Sequence, residues 1–352
     1  MPTVSILIPT YQEREHIEEC LASVRAFSHP ENVEIEVIVI DGMSTDGTRD
    51  LVANASKSDP RIRMLDNQKR FQSQALNLGI RASRGDFILR LDAHSFYPAD
   101  YLEQCLETAM RSGADNTGGV VRTMQRGSHY QAAFVQALIT HKFGVGNSGF
   151  RTDAGEGPAD TVPYGFFKRE IFSRVGLFDE RLVRAQDYEM NRRIIAAGGK
   201  VWRNPRIEIT YFPQPDFRSF IKKQVAYEAP YNVYMWYLAP YAFAPRHAIT
   251  GVYALGVISG TVLSFFVSWI RIAFLSVMAL YFLLAIGSAI QQARRYRQPR
   301  HILTLPIGFF LYHFLHGTGI LWGAARLASG SAPVQMKSEP WPGAARFRAW
   351  PA

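Results

Sequence analysis

Apolar runs of four to six residues alternate with helical patterns through the first third of the chain. Val4 to Ile8, Ile35 to Ile40, Ile62 to Leu65 and Phe87 to Leu91 read as strands, and His16 to Phe27, Thr48 to Ala55, Gln74 to Ala82 and Ala99 to Arg111 as helices. The alternation predicts an α/β domain, a mostly parallel sheet flanked by helices on both faces. From Asn116 onward the pattern loosens into a strand at Gly118 to Met124, a helix at Gln131 to His141 and a glycine-rich loop, Gly144 to Gly149. Val162 to Phe167 and Ile207 to Tyr211 read as further strands, with helices at Arg169 to Val175 and Tyr188 to Ala197. No repeat of solenoid length is visible.

The last third follows another pattern. Charged side chains vanish between Arg246 and Arg271, between Arg271 and Arg294, and between Arg300 and Arg326. Each interval has room for the roughly 20 apolar residues that cross a bilayer. Gly251 to Trp269 and Ile272 to Gln291 are expected to cross; the third, Ile302 to Ala325, is interrupted by Pro306, His313, His316 and glycines, and is left between spanning and re-entering. Phe217 to Met235 mixes Lys222, Lys223, Tyr227, Tyr231 and Tyr234 with apolar residues, as suits a helix at the level of lipid headgroups. The expected organisation is thus a catalytic-type domain over 1–215, interfacial helices over 216–247, two to three transmembrane helices over 248–328 and a tail over 329–352.

No signal peptide is read at the N-terminus, so the first domain is expected to face the cytoplasm from the inner membrane, and the basic loop Arg294 to Arg300 belongs on the same side. The side of the tail, with Lys337, Arg346 and Arg348, stays open. A net charge of +9 goes with no nucleic-acid motif, and attraction to an anionic leaflet accounts for it. Cys20 and Cys105 have no metal spacing and are expected to be reduced and structural.

Candidate chemistry gathers at strand ends. In Asp92-Ala93-His94 the two polar residues are two apart, so on a strand a carboxylate and an imidazole share a face and a divalent cation. Their place at a strand's C-terminal end is where open α/β sheets put ligands. The imidazole tilts the choice toward Mn²⁺, with Mg²⁺ still open. Pro9, Tyr11 and Glu13 follow the first strand, and Asp41 ends the second; a carboxylate there suits a pyrimidine N–H or a ribose hydroxyl. Taken singly, Asp41 is equally turn chemistry and Asp46 a helix cap.

Together with Asn77-Leu78-Gly79, Phe178-Asp179-Glu180 and Gln186-Asp187-Tyr188-Glu189-Met190, these stretches resemble the family 2 inverting glycosyltransferases over about residues 3 to 235. Asp-Ala-His in place of the commoner Asp-x-Asp is closest to the succinoglycan-type glucosyltransferases. The resemblance implies the GT-A nucleotide-diphospho-sugar transferase fold and a UDP-sugar donor, with glucose as the sugar. It also implies transfer of one hexose to a polyprenyl-diphosphate-linked glycan, with membrane lipids as the surroundings. Asp187 matches the family's catalytic acidic residue and is the expected general base, Asp92 and His94 the metal pair. Lys69, Arg70, Arg151 and Arg193 are expected to help bind phosphate.

Two departures bear on specificity. Gln224-Val225-Ala226-Tyr227-Glu228 stands where processive synthases of the family have Gln-x-x-Arg-Trp, and Ala185 precedes Gln186-Asp187 where a polar residue is common. The missing Arg-Trp pair argues against a processive polysaccharide synthase, and Ala185 leaves the acceptor's identity open; that synthase and a catalytically inactive nucleotide-sugar-binding protein are the alternatives. A sugar nucleotidyltransferase is disfavoured by Pro9-Thr10-Tyr11, where a glycine-rich phosphate loop would be wanted. Assembly into a homo-oligomer is left open.

Overall fold

A computed structural model describes residues 2–333, apart from residues 126, 128, 147 and 152–154. In chain order the elements are β1 (Thr3–Thr10), α1 (Ile17–Arg25), β2 (Glu34–Asp41), α2 (Thr48–Ser58), β3 (Ile62–Asp66), α3 (Gln72–Ala82), β4 (Phe87–Arg90), α4 (Tyr101–Ser112) and β5 (Asn116–Thr123). Then come α5 (Tyr130–Ile139), α6 (Lys142–Val145), β6 (Gly157–Pro158), β7 (Phe166–Lys168), α7 (Glu170–Val175), α8 (Gln186–Ala196) and β8 (Val201–Tyr211). The chain ends in α9 (Phe217–Lys223), a π-helical turn (Gln224–Glu228), α10 (Ala229–Leu238), α11 (Pro245–Ser264), α12 (Ser268–Tyr296) and α13 (His301–Ala328). These form two compact units, residues 2–122 with 155–211 and residues 123–151 with 212–333.

The first unit is an eight-stranded sheet in the order β3-β2-β1-β4-β7-β5-β8-β6. β1, β2, β3 and β4 run parallel, and β7 lies antiparallel to both β4 and β5. Successive strands move outward from β1 through β2 to β3, then β4 returns to the other side of β1. That reversal opens a crevice at the C-terminal ends of β1 and β4, the usual seat of a ligand in such sheets. Leu7, Ile38, Ile40 and Ile88 pack beneath Ala75, Leu76 and Ile80 of α3, continuous with Phe167, Phe178, Met190 and Ile194. A Cβ on Gly79 would come within 3.0 Å of Leu7 and Ile40, so glycine there lets α3 close onto the strands.

Two strands differ from expectation. The run Val162 to Phe167 is strand only from Phe166, because Tyr164 (φ 62) and Gly165 (φ 86) turn the chain in the left-handed region. β8 begins at Val201, six residues earlier than its apolar stretch, through the polar Trp202-Arg203-Asn204-Pro205-Arg206. Proline is tolerated near a sheet margin, and on its outer side β8 there meets the two-residue β6.

The second unit takes in residues 123–151, where the expected organisation has one continuous domain to residue 215. The reason is composition: six of the ten residues of α5 are Ala, Val, Leu or Ile, and Phe134, Val135, Leu138 and Ile139 pack with Phe220, Ala285, Ala289, Leu305 and Phe309. The glycines of α13, which look like interruptions in sequence, are points of close approach. A Cβ on Gly317 would lie 2.0 Å from the Thr250 carbonyl, and one on Gly308 2.3 Å from the Phe134 ring. Among the described residues, α11 and α12 are long and apolar enough to cross a bilayer. They turn Val252, Leu255, Leu275, Leu280 and Leu283 outward, as lipid-facing segments do. The tail after residue 333, including Lys337, Arg346 and Arg348, lies outside the described residues.

Candidate active site

The crevice holds a cavity of about 310 Å³ lined by Pro9, Thr10, Tyr11, Glu13, Asn67, Arg70, Phe71, Gln72, Asp92, His94 and Arg184, with Ala75 and Val183. That volume is at the lower end of what small-ligand sites enclose. Of the residues singled out from sequence, Pro9, Tyr11, Glu13, Arg70, Asp92 and His94 come together on its wall. Arg70 stands over the Tyr11 ring, 5.6 Å from its centroid.

Loop geometry holds these groups in place. Gln12, at φ 57, accepts the backbone N–H groups of Thr45 and Asp46 on its Oε1 at 3.0 and 3.1 Å, tying the end of β1 to the loop after β2. Gln12, Met43, Arg70, Tyr164 and Ala185 all have φ between 57 and 64. Strain of this kind gathers at functional sites, where the surrounding fold enforces it.

Asp92 and His94 have different surroundings. Asp92 Oδ1 accepts from Arg90 Nη2 at 2.9 Å and from Gln72 Nε2 at 3.0 Å. His94 is 45 % exposed, with Nδ1 2.8 Å from Glu13 Oε1. Since a carboxylate oxygen only accepts, Nδ1 is the donor of this pair, and in the neutral ring it is then Nε2 that can face a cation. Among the described residues no three His, Cys, Asp or Glu side chains group to hold a metal by themselves. The donor set therefore fits Mg²⁺ or Mn²⁺, which take one or two protein ligands and complete their shell with phosphate oxygens and water. It does not fit a closed structural zinc site.

Arg90 is the residue that sequence reasoning passed over. It is buried, its guanidinium stands 5.5 Å from the Tyr164 ring centroid, and it pairs with two carboxylates: Asp92 Oδ1 through Nη2 and Asp187 Oδ2 through Nη1. Burial by itself would favour the neutral form, but Asp187 and Asp92 outweigh it and hold the guanidinium charged. Gln186 Nε2 donates to Gln72 Oε1 at 2.7 Å, so one chain of contacts runs Gln186, Gln72, Asp92, Arg90, Asp187. Nothing short of tertiary contact reveals this, although an arginine ending an apolar buried strand was a signal.

The three carboxylates around α8 separate cleanly. Asp179 is buried and accepts from its neighbour Arg181 through both oxygens. Glu189 is buried against Arg193, both side chains 1 % exposed. Asp187 keeps 35 % of its side chain open while its carboxyl sits among protein atoms, and burial raises its pKa above the usual carboxylate range against the pull of Arg90.

Four expected contacts look different in the fold. Asp41 is buried, with Oδ2 accepting from the Ser44 amide at 2.9 Å and Arg49 Nη1 at 2.8 Å, and Arg49 reaches on to Asp66. A base or ribose would have to displace those partners to reach it. Arg193 cannot serve a phosphate, since its nitrogens are taken in the core by Glu189 and the carbonyls of Val175 and Leu177. Lys69 lies outside the cavity lining, 70 % exposed and 3.6 Å from Glu180. Arg151 belongs to the second unit, 5.3 Å from the Phe150 ring centroid. Cys20 and Cys105 are buried free thiols, Cys20 pushed up to about 12 by burial.

Comparison with known proteins agrees with this geometry. The family model for glycosyl transferase family 2 matches residues 5–176. The chain is 34 % identical over 212 residues to the succinoglycan biosynthesis protein ExoA of Rhizobium meliloti, covering 59 % of this chain and only 63 % of that protein. It is 27 % identical over 340 residues to a dolichyl N-acetyl-alpha-D-glucosaminyl phosphate 3-beta-D-2,3-diacetamido-2,3-dideoxy-beta-D-glucuronosyltransferase of Methanococcus voltae, covering 92 % of this chain and 97 % of that protein. Among solved structures it superposes on the mannosyltransferase PcManGT from Pyrobaculum calidifontis, in complex with GDP-Man and Mn²⁺, with TM-score 0.58 and 21 % identity over 91 % of this chain and 87 % of that one, a likeness of fold. With a GT-A-type sheet, a cavity at its switch point and that match, residues 5–176 belong to glycosyltransferase family 2.

Proposed function

We propose that this protein is a metal-dependent inverting enzyme that transfers one hexose, glucose from UDP-glucose, to a polyprenyl-diphosphate-linked glycan at the cytoplasmic face of the inner membrane. The observation that carries the catalytic part is Arg90, whose one guanidinium pairs with Asp92 on the cavity wall and with Asp187, which the cavity lining itself does not include. Asp187 is then the general base: of the three carboxylates near α8 it has the open side chain, and it removes the proton from the acceptor hydroxyl as that oxygen attacks the sugar carbon. Asp92 and His94 would hold a divalent cation, which when bound supplies Lewis-acid stabilisation of the departing diphosphate. Arg70 and Arg184 add positive charge on the cavity wall, where an anionic leaving group is favoured. Pro9, Tyr11 and Glu13 line the wall on the side of β1, in keeping with a nucleoside seat.

The membrane part rests on α11 and α12. Two passes bring the chain back to the side from which it entered, and the basic stretch Arg294 to Arg300 favours the cytoplasm for that side. The lipid-linked acceptor is supported by the names of two relatives, one a succinoglycan biosynthesis protein and the other a transferase acting on a dolichyl-phosphate-linked sugar. Single transfer is favoured over processive synthesis by Gln224-Val225-Ala226-Tyr227-Glu228, which lacks an Arg-Trp pair. The test is to incubate membranes carrying the protein with labelled nucleotide sugars, Mn²⁺ and extracted lipid-linked intermediates. One labelled hexose per acceptor, lost on chelation, is expected. A polymer, or no consumption of any donor with any lipid fraction, refutes the proposal.

A further inference from the structure

Arg90 places a fixed positive charge on the carboxylate proposed to bind a cation. Its Nη2 lies 2.9 Å from Asp92 Oδ1, the same oxygen that accepts from Gln72 at 3.0 Å, and its Nη1 pairs with Asp187. The guanidinium is itself buried, 5 % exposed, facing Tyr164, so it is a built part of the site and no surface pair. We infer that Arg90 is a positioning residue that acts as an internal stand-in cation: it keeps Asp92 and Asp187 aligned before the donor arrives, and it competes with the divalent ion for Asp92.

The physical argument is one of occupancy. Two carboxylates side by side repel, and without a cation between them one would turn away or take up a proton. A planar guanidinium spans both at once, which a lysine ammonium cannot do. The same contact holds Asp92 against full engagement with a metal. With Asp92 given over to an ion and its diphosphate, the guanidinium would be left to Asp187 alone and would hold the acceptor's base in place. An arginine with a purely architectural role would act differently: losing it would loosen the loops and weaken metal binding, whereas losing a competitor strengthens it.

This inference rests on the proposed metal-dependent reading, and the experiment separates the two. Mn²⁺ binding is measured on the purified full chain in detergent, by electron paramagnetic resonance of the free ion, for the wild type, Arg90→Gln and Arg90→Lys. Arg90→Gln keeps hydrogen-bond donors without charge and is expected to bind Mn²⁺ on the order of tenfold more tightly, while kcat for hexose transfer falls with little change in KM. Arg90→Lys, which keeps the charge but cannot span both carboxylates, is expected to lie between the two in affinity and to recover part of kcat. Unchanged or weaker Mn²⁺ binding in a folded Arg90→Gln overturns the inference and leaves the metal-dependent reading standing. If Arg90→Gln does not fold, Arg90→Lys decides: wild-type affinity together with wild-type kcat overturns it. Absence of Mn²⁺ binding in the wild type removes the metal reading and this inference with it.

Discussion

Replacing Asp187 by Asn and Glu189 by Gln, two residues apart on α8, should damage the protein in opposite ways. Glu189 and Arg193 are each 1 % exposed and joined through Nε at 2.8 Å and through Nη2. Glu189→Gln leaves a buried guanidinium without its counter-charge, a loss of about 3–5 kcal/mol of stability. Arg193 also anchors the carbonyls of Val175 and Leu177, so the damage spreads to the loop that follows α7. Burial holds the Asp187 carboxyl above the usual carboxylate range, so its charge is no source of stability at neutral pH, and its partner Arg90 keeps Asp92; Asp187→Asn should therefore leave stability nearly unchanged. If Asp187 is the general base, the same change lowers kcat by about 10²- to 10⁴-fold. Thermal unfolding and hexose transfer, measured on both purified variants, give the comparison. A Glu189→Gln protein that melts like the wild type yet fails to turn over, or an Asp187→Asn protein that keeps its kcat, refutes the assignment.

Two further outcomes follow from local geometry. Ala185 precedes α8 with φ 63 and ψ 7, a left-handed conformation that costs an alanine about 1–2 kcal/mol, so Ala185→Gly should raise stability by about 1 kcal/mol in a denaturant titration. Glu36 has its pKa lowered: burial opposes the charge, but Ser5 Oγ at 2.6 Å, the Arg84 amide and Arg63 outweigh it. A lowered carboxylate contributes stability that is fully present above its ordinary value of 4.5 and lost as pH falls through the lower folded value. Glu36→Gln should therefore cost about 1–2 kcal/mol at pH 7 and nearly nothing well below pH 4, and an equal loss at both pH values would contradict the contact's electrostatic origin.

The parallel strands, the helices between them and two apolar segments long enough for a bilayer could be read from the chain alone. Their signals are local: hydrophobic period and uninterrupted length survive in any window of a dozen residues. That Asp92 and His94 lie at the cavity was legible for a related reason, since they follow an apolar strand at its C-terminal end, where open α/β sheets seat ligands. Side-chain partners are different in kind. Arg193 and Arg90 are both arginines near the motifs, yet one is sealed against Glu189 and the other spans two carboxylates, one just after β4 and one in α8, nearly a hundred residues apart in sequence. Asp41 ends an apolar strand as Asp92 follows one, but Arg49 and Ser44 enclose it. The chain by itself determined which elements form and which strand ends could hold chemistry, because backbone periodicity and burial are short-range. Only the tertiary structure decided which charge meets which, because an ion pair depends on distances that folding sets between residues the sequence keeps far apart.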